Sequence, residues 1–249
     1  MHATRRSRHY PWVVSLAAVD LLRRERELLA RGEVVAGVDE VGRGALAGPL
    51  TVGVVVITSL TPPPDRLTDS KLLTSAQREA LEVPLRDWAL DWSLGSVSAG
   101  EIDDWGLRLA LAVAATRALD GLAVRPTFAL LDGSFNLLRA PLDVPFGVAS
   151  PPELRYADLA HETVVKGDAT CATIAAASVL AKVQRDRVMV ELDQQFGVFD
   201  WARNKGYGAP GHLEALRRHG PSDQHRKSWK LPSLEARRSD RGGFIGPSA

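Results

Sequence analysis

The stretch "AGVDEVGRGALAGPLTVGVVVIT", Ala36 to Thr58, decides the fold. Valine-rich runs at 34–39 and 50–58 have the composition of strands, and glycines 42, 44 and 48 fill the connection between them. So short a connection suits neighbouring hairpin strands and leaves no room for a helical crossover, so the sheet is expected to be mixed, not purely parallel. Asp39 and Glu40 close the first run and set two carboxylates at the lip of a core. Neighbours in an ideal strand point to opposite faces, so both reach one site only if the strand breaks there, which Gly42 permits.

Outward from this hairpin, strands and helices alternate. Residues 20–31 read as a charged helix stopped by Gly32, "TPPPD" at 61–65 as a surface loop, and 76–86 as a helix capped by Ser75. Residues 90–97 form a loosely patterned third strand. Ser98 and Glu101 have capping-box spacing ahead of a long alanine and leucine helix that Gly121 ends. Short strands follow at 127–131 and 163–166, separated by a proline-dotted excursion over 140–161, and then a long helix over 170–194 with the small-residue face "ATIAAASVLAKV". The expected class is α/β, a mixed central sheet flanked by helices with a small C-terminal helical appendage. The expected divisions are a flexible tail over 1–19, a catalytic core over 20–195, a helical and loop substrate-binding region over 196–232, and a disordered tail over 233–249.

The chain has 249 residues, 45% of them hydrophobic, enough for a substantial core. Its 31 Lys and Arg against 30 Asp and Glu nearly cancel, but their placement does not. Residues 36–199 carry 14 basic against 21 acidic side chains, and 200–249 carry 10 against 5. An acidic centre beside a basic C-terminal part suits a metal-loaded site working on a polyanion. Cys171 stands alone, which excludes an intrachain disulfide and a cysteine-rich zinc cluster and favours a reducing compartment, here the cytoplasm. The basic start precedes a brief apolar run and then the charged "RRERELLARG", which suits a basic tail better than a secretory signal. No stretch approaches the roughly 18 continuous apolar residues of a membrane span.

Four acids share a context: Asp39 and Glu40 after "VVAGV", Asp132 after "TFALL" and Asp168 after "TVVKG". Each follows a predicted strand, and in α/β sheets the carboxyl ends of strands open onto the ligand crevice. Carboxylates gathered there repel one another unless cations hold them, and an all-oxygen donor set points to Mg²⁺ or Mn²⁺. Two such ions suit phosphoryl transfer. A lone Asp before Gly is more often a turn former, so composition and spacing alone leave that reading among several. The "VGRGALAG" run is not a dinucleotide fingerprint, because it leads into a strand and not a helix. Gly42 and Gly44 either make a simple tight turn or leave backbone N–H groups open to a close phosphate or hydroxyl, with Arg43 as a charged fork.

The ordered set "GVDEVGRGALAGP" (37–49), "DSK" (69–71), "EID" (101–103), "LDG" (131–133), "VKGDA" (165–169), "IAAASVLAKVQRD" (174–186), "NKGYG" (204–208) and "HR" (225–226) resembles type 2 ribonuclease H, the bacterial ribonuclease HII family. Eight motifs in order, over roughly 34–230, make the resemblance specific. It implies a ribonuclease H-like fold and endonucleolytic hydrolysis of RNA in RNA-DNA hybrids. It also implies incision 5′ of single ribonucleotides in duplex DNA, leaving 5′-phosphate and 3′-hydroxyl ends, the first step of ribonucleotide excision repair. By the same resemblance Asp39, Glu40, Asp132 and Asp168 are the catalytic metal ligands for two Mn²⁺ or Mg²⁺ ions. Gly42, Arg43 and Gly44 match the turn that reads a ribose 2′-hydroxyl, and Tyr207 the tyrosine that packs on the next deoxyribose. Ser70, Lys71, Ser178, Lys182, Lys205, His225 and Arg226 are candidates for contacting phosphate or supporting the site. Lys182 is divided between substrate and an internal ion pair. Asp186 is expected to be a structural partner, and His212 to cap a local network.

The expected partners are hybrid and ribonucleotide-containing duplexes, with a replication or repair protein as a further candidate; the default state is a monomer, with no membrane. Gly106 stands where many relatives carry asparagine, Trp229 where phenylalanine is usual, and Ala209 where threonine is commoner. The 36 positions between Asp132 and Asp168 form a longer gap than in compact members and read as an inserted excursion.

Overall fold

The structure, a computed structural model, describes residues 20–139 and 153–232. Within them lie strands β1 (Val35–Val41), β2 (Leu50–Ile57), β3 (Asp91–Val97), β4 (Phe128–Asp132) and β5 (Ala160–Val164). The helices are α1 (Arg23–Leu29), α2 (Ser75–Trp88), α3 (Ala99–Asp120), α4 (Ala172–Phe196), α5 (Trp201–Asn204) and α6 (Pro210–His219). The sheet order is β3-β2-β1-β4-β5. β2 lies antiparallel to β1 and β3, while β4 lies parallel to β1 and β5, which is the mixed sheet the short 42–49 connection demands.

The period-2 pattern sorts side chains between two cores. Ala36, Val38, Val52, Val54 and Val56 pack with α3, while Val35, Val55 and Ile57 pack with α4 and its neighbours α1 and α2. β2 is buried along its whole length because helices cover both faces. Glycines let those helices approach closely. A Cβ on Gly37 would lie 2.2 Å from the carbonyl carbon of Thr173, and one on Gly53 would lie 2.5 Å from the Ala177 oxygen. The small-residue face of α4 therefore rests almost backbone to backbone on β1 and β2.

Several expectations are revised. β1 does not break at Asp39; it stays paired with β2 as far as Val41 opposite Thr51. The cap of α2 is Thr74, not Ser75: its Oγ1 accepts from the Gln77 amide and its own amide donates to Gln77 Oε1, a reciprocal pair that Ser75 could not form. The strand expected at 163–166 is β5, three residues earlier, because its ladder with β4 runs from Phe128 opposite Ala160 to Asp132 opposite Val164. Most of the 140–161 excursion, and both tails, fall outside the described residues. Ser98 caps α3 as expected, but the helix is interrupted at Gly106, whose φ of 74° and ψ of 157° only glycine adopts readily.

After α4 the chain turns back through α5 and α6 and buries Trp201 completely against Phe199, Ala47, Met189 and Leu216. This third cluster attaches the C-terminal segment to the loop between β1 and β2. Ala47 bridges His225, and the Gly48 amide donates to Gln224 O at 2.8 Å.

Candidate active site

β1 and β4 are paired only as far as Val38 opposite Leu131, whereas β1 continues along β2. The two strands part just before Asp39 and Asp132, and a crevice of about 240 Å³ opens between them. Asp39, Glu40, Asp132, Gly42, Arg43, Gly44, Ser70, Lys71, Ser178, Lys182 and Tyr207 line it. Asp39 and Glu40 share this crevice without a strand break, because it straddles the open end of the sheet and not one of its faces. The fourth acid, Asp168, is buried in the tight turn Gly167–Ala169 after β5 and reaches the group through Lys71, whose Nζ donates to its Oδ2 at 2.7 Å.

These carboxylates are held at an electrostatic cost. Burial pushes the Asp39 carboxyl up to about 7; the Ser178 hydroxyl opposes the rise by hydrogen bonding, and the charges of Glu40 and Asp132 add to it. Glu40 is raised by burial and by Asp132, against the pull of Arg43. Asp132 is raised by burial and by Asp168, although its Oδ1 accepts from the Gly167 amide at 2.8 Å. Burial alone would lower the Lys71 ammonium, but the hydrogen bond and charge of Asp168 raise it. Among the described residues no three His, Cys, Asp or Glu side chains already form a closed metal cluster. The crevice instead gathers oxygen donors whose mutual repulsion a cation would relieve.

The α4 side of the crevice is a hydrogen-bonded rail. Ser70 and Ser178, both buried, share a 2.8 Å hydroxyl contact that joins the turn before α2 to α4. Lys182 donates to Asp186 at 2.6 Å, one turn along α4, and Arg78 lies 3.6 Å from the other Asp186 oxygen. Of its two candidate roles Lys182 therefore occupies the internal ion pair, and Asp186 is a partner of cations away from the acids. Lys205 lies outside the crevice and donates to the Ala202 carbonyl.

The opposite wall is the turn at Gly42–Gly44. Gly42 takes a φ of 86°, and a Cβ there would lie 2.2 Å from Arg185 Nε; a Cβ on Gly44 would meet nothing within 4 Å. Arg226, wholly buried, donates to the carbonyls of Arg43 at 2.8 Å and Gly42 at 2.6 Å. Arg185, equally buried, donates to Pro49 O at 2.8 Å and Lys205 O at 2.9 Å, and its guanidinium carbon lies 5.5 Å from the Tyr207 ring centroid. Leu46 N also donates to Gly206 O at 2.8 Å. Tyr207 and the glycine turn are thus fixed to each other, with the tyrosine exposed at the rim.

His225 and Arg226 are enclosed, which assigns them to support and not to phosphate contact. His212 Nδ1 donates to Tyr207 O at 2.8 Å, its Nε2 accepts from Trp201 Nε1 at 3.1 Å, and His225 Nε2 lies 3.0 Å from the same nitrogen. Ser222 N donates to His225 Nδ1 at 3.0 Å. Every ring nitrogen is used with both rings neutral. Sequence reasoning singled out neither Arg185 nor Trp201; for Arg185 the available signal was a charged residue within α4 at a position that turns toward the 42–49 loop.

A family model described as Ribonuclease HII matches residues 36–232. A ribonuclease HII from Streptomyces coelicolor is 48% identical over 207 residues, covering 82% of this chain and 81% of that protein. One from Geobacillus thermodenitrificans is 41% identical over 218 residues, covering 87% and 76%. Among solved structures, ribonuclease H2 from Pyrococcus horikoshii aligns with a TM-score of 0.60 and 30% identity over 79% of this chain and 93% of that one. The ribonuclease HII in a complex with PCNA from Archaeoglobus fulgidus aligns at 0.57 and 27% over 81% and 98%.

Proposed function

The chain belongs to the ribonuclease HII family, with its ribonuclease H-like fold, and from that premise we propose that it is a metal-dependent endonuclease that hydrolyses RNA in RNA-DNA hybrids and incises 5′ of single ribonucleotides in duplex DNA. The observation that carries the reading is the convergence of Asp39, Glu40 and Asp132 with the Gly42–Gly44 turn and Tyr207 on one crevice.

The all-oxygen donor set fits Mg²⁺ or Mn²⁺, with Asp39 and Asp132 most central and Glu40 and Asp168 completing the set. When bound there, two such ions would lower the pKa of an attacking water and steady the leaving oxygen, giving 5′-phosphate and 3′-hydroxyl ends. The protein's own groups hold and orient. Ser178, bonded to Ser70, borders Asp39 in the crevice, and the Gly167 amide fixes Asp132. Lys71 neutralises Asp168 by donating to its Oδ2, and the two carboxylate oxygens would be available to a bound cation if that ammonium swung aside. Gly44 leaves space for a sugar to approach the backbone, where the 2′-hydroxyl that distinguishes RNA from DNA can be met. Tyr207 offers its exposed ring to the next sugar. Contacts to backbone and shape give little sequence preference.

A duplex carrying one ribonucleotide tests this. With Mn²⁺ or Mg²⁺ the enzyme is expected to nick only on its 5′ side and to leave the all-DNA duplex intact. Asp132→Asn is expected to reduce the rate by at least about a thousandfold while retaining the circular dichroism of the parent. Cleavage indifferent to the sugar, or full activity in that variant, would overturn the proposal.

A further inference from the structure

Beyond the acids, β4 runs into a loop whose direction is set by Gly133 at a φ of 95° and whose far end is pinned by buried Leu137 and Leu138. Between these anchors the Phe135 ring sits next to two guanidiniums. The Arg43 carbon lies 5.0 Å from its centroid and the Arg108 carbon 5.4 Å. Arg43 belongs to the crevice wall, and its side chain is 51% exposed with Glu40 at 3.5 Å. Arg108 lies on α3 just after the Gly106 break and is exposed. The next arginine along that helix, Arg117, is neutralised by Glu101 at 2.6 Å, but among the described residues Arg108 has no carboxylate partner.

We propose that Arg108 and Arg43, held at the Phe135 ring, form a phosphate-binding subsite that grips the nucleic-acid backbone on the α3 side of the crevice. The proposal rests on the nuclease reading above and deepens it. Aromatic contact orients a guanidinium while leaving its N–H groups free for phosphate oxygens. Through the shared ring the two cations stand within reach of one phosphodiester or of neighbouring ones. Arg108 follows closely on the restart of a helix, where the backbone is already electropositive, so its charge does nothing for the helix itself and suits an anion brought from outside. The crevice has Lys71 and Lys182 along its α4 wall, both committed to carboxylates. A second cationic contact on the α3 wall would hold the strand across the acids from the free side.

The test measures anisotropy of a fluorescein-labelled RNA-DNA hybrid, with Ca²⁺ replacing the catalytic ion, at several salt concentrations. Arg108→Ala is expected to raise Kd about 3- to 10-fold and to flatten the slope of log Kd against log salt by about one, the signature of one lost phosphate contact. Arg108→Lys should recover part of the affinity and of the slope, whereas Phe135→Ala, which frees both guanidiniums, should weaken binding at least as much as Arg108→Ala. Arg26→Ala, removing an exposed arginine of α1 already bonded to Asp20 at 2.7 Å, serves as control and should leave both quantities unchanged. An Arg108→Ala protein with the parent's Kd and salt slope would overturn the subsite. Failure of the parent itself to cleave hybrid in Mn²⁺ or Mg²⁺ would overturn the nuclease reading instead.

Discussion

Asp39 concentrates the conflict on which the site is built: a carboxylate that belongs in water is buried between two others, and its pKa rises from 3.8 to about 7. A raised folded-state value means that the metal-free folded protein holds this proton more tightly than the unfolded chain. Its contribution therefore favours folding below about pH 3.8 and is lost as pH climbs through 7. At pH 8 in EDTA, Asp39→Asn is expected to stabilise the protein by roughly 0.5–2 kcal/mol, read as a higher denaturant midpoint, while metal-dependent cleavage disappears. An unchanged or lowered midpoint would show that the charge is not strained. The four acids were visible in the sequence because each follows a strand-like run before a glycine or a break in the pattern. The enclosure of His225 and Arg226 was not, since a sequence that marks charged residues does not say which carbonyls will converge on them.

At the scale of elements, strand and helix order was legible from valine runs, caps and glycine stops, while the contacts between elements were not. Two substitutions probe those contacts. Gly37→Ala would push a methyl into the α4 backbone at Thr173, and because neither partner can yield, a loss of at least about 3 kcal/mol in chemical denaturation is expected. Ala209 stands at the N-cap of α6 with no side-chain bond to the helix amides. Ala209→Thr should supply that acceptor and raise stability by about 0.5–1 kcal/mol, with the thermal midpoint moving up. The departure noticed beside Tyr207 is thus explained as a missing cap. Gly106 stood out in the sequence as a departure from asparagine, but the break it makes in α3 was not legible; Trp105 and Leu107 pack against the core on either side of its positive φ, a placement no local pattern encodes.

For the molecule as a whole, the cluster of His212, His225 and Trp201 joins the C-terminal helices to the crevice and makes the joint sensitive to acid. Burial, with His212 nearby, pushes His225 down from 6.5 to about 4, and burial also lowers His212. The unfolded chain takes up these protons first as pH falls, so stability is full above 6.5 and drains away between 6.5 and about 4. Denaturant midpoints at pH 7.5, 6.0 and 5.0 should fall more steeply for the parent than for His225→Gln; parallel profiles would exclude the histidine as the cause. Arg226 carries a different consequence. It grips the carbonyls of Gly42 and Arg43, residues more than 180 positions earlier in the chain. On a ribosome the acids and the sheet that presents them are made long before their partner wall can be clamped. A nascent chain therefore holds every strand of its sheet before it holds the residue that fixes the glycine turn, and the wall of the crevice is the last part of it to be completed.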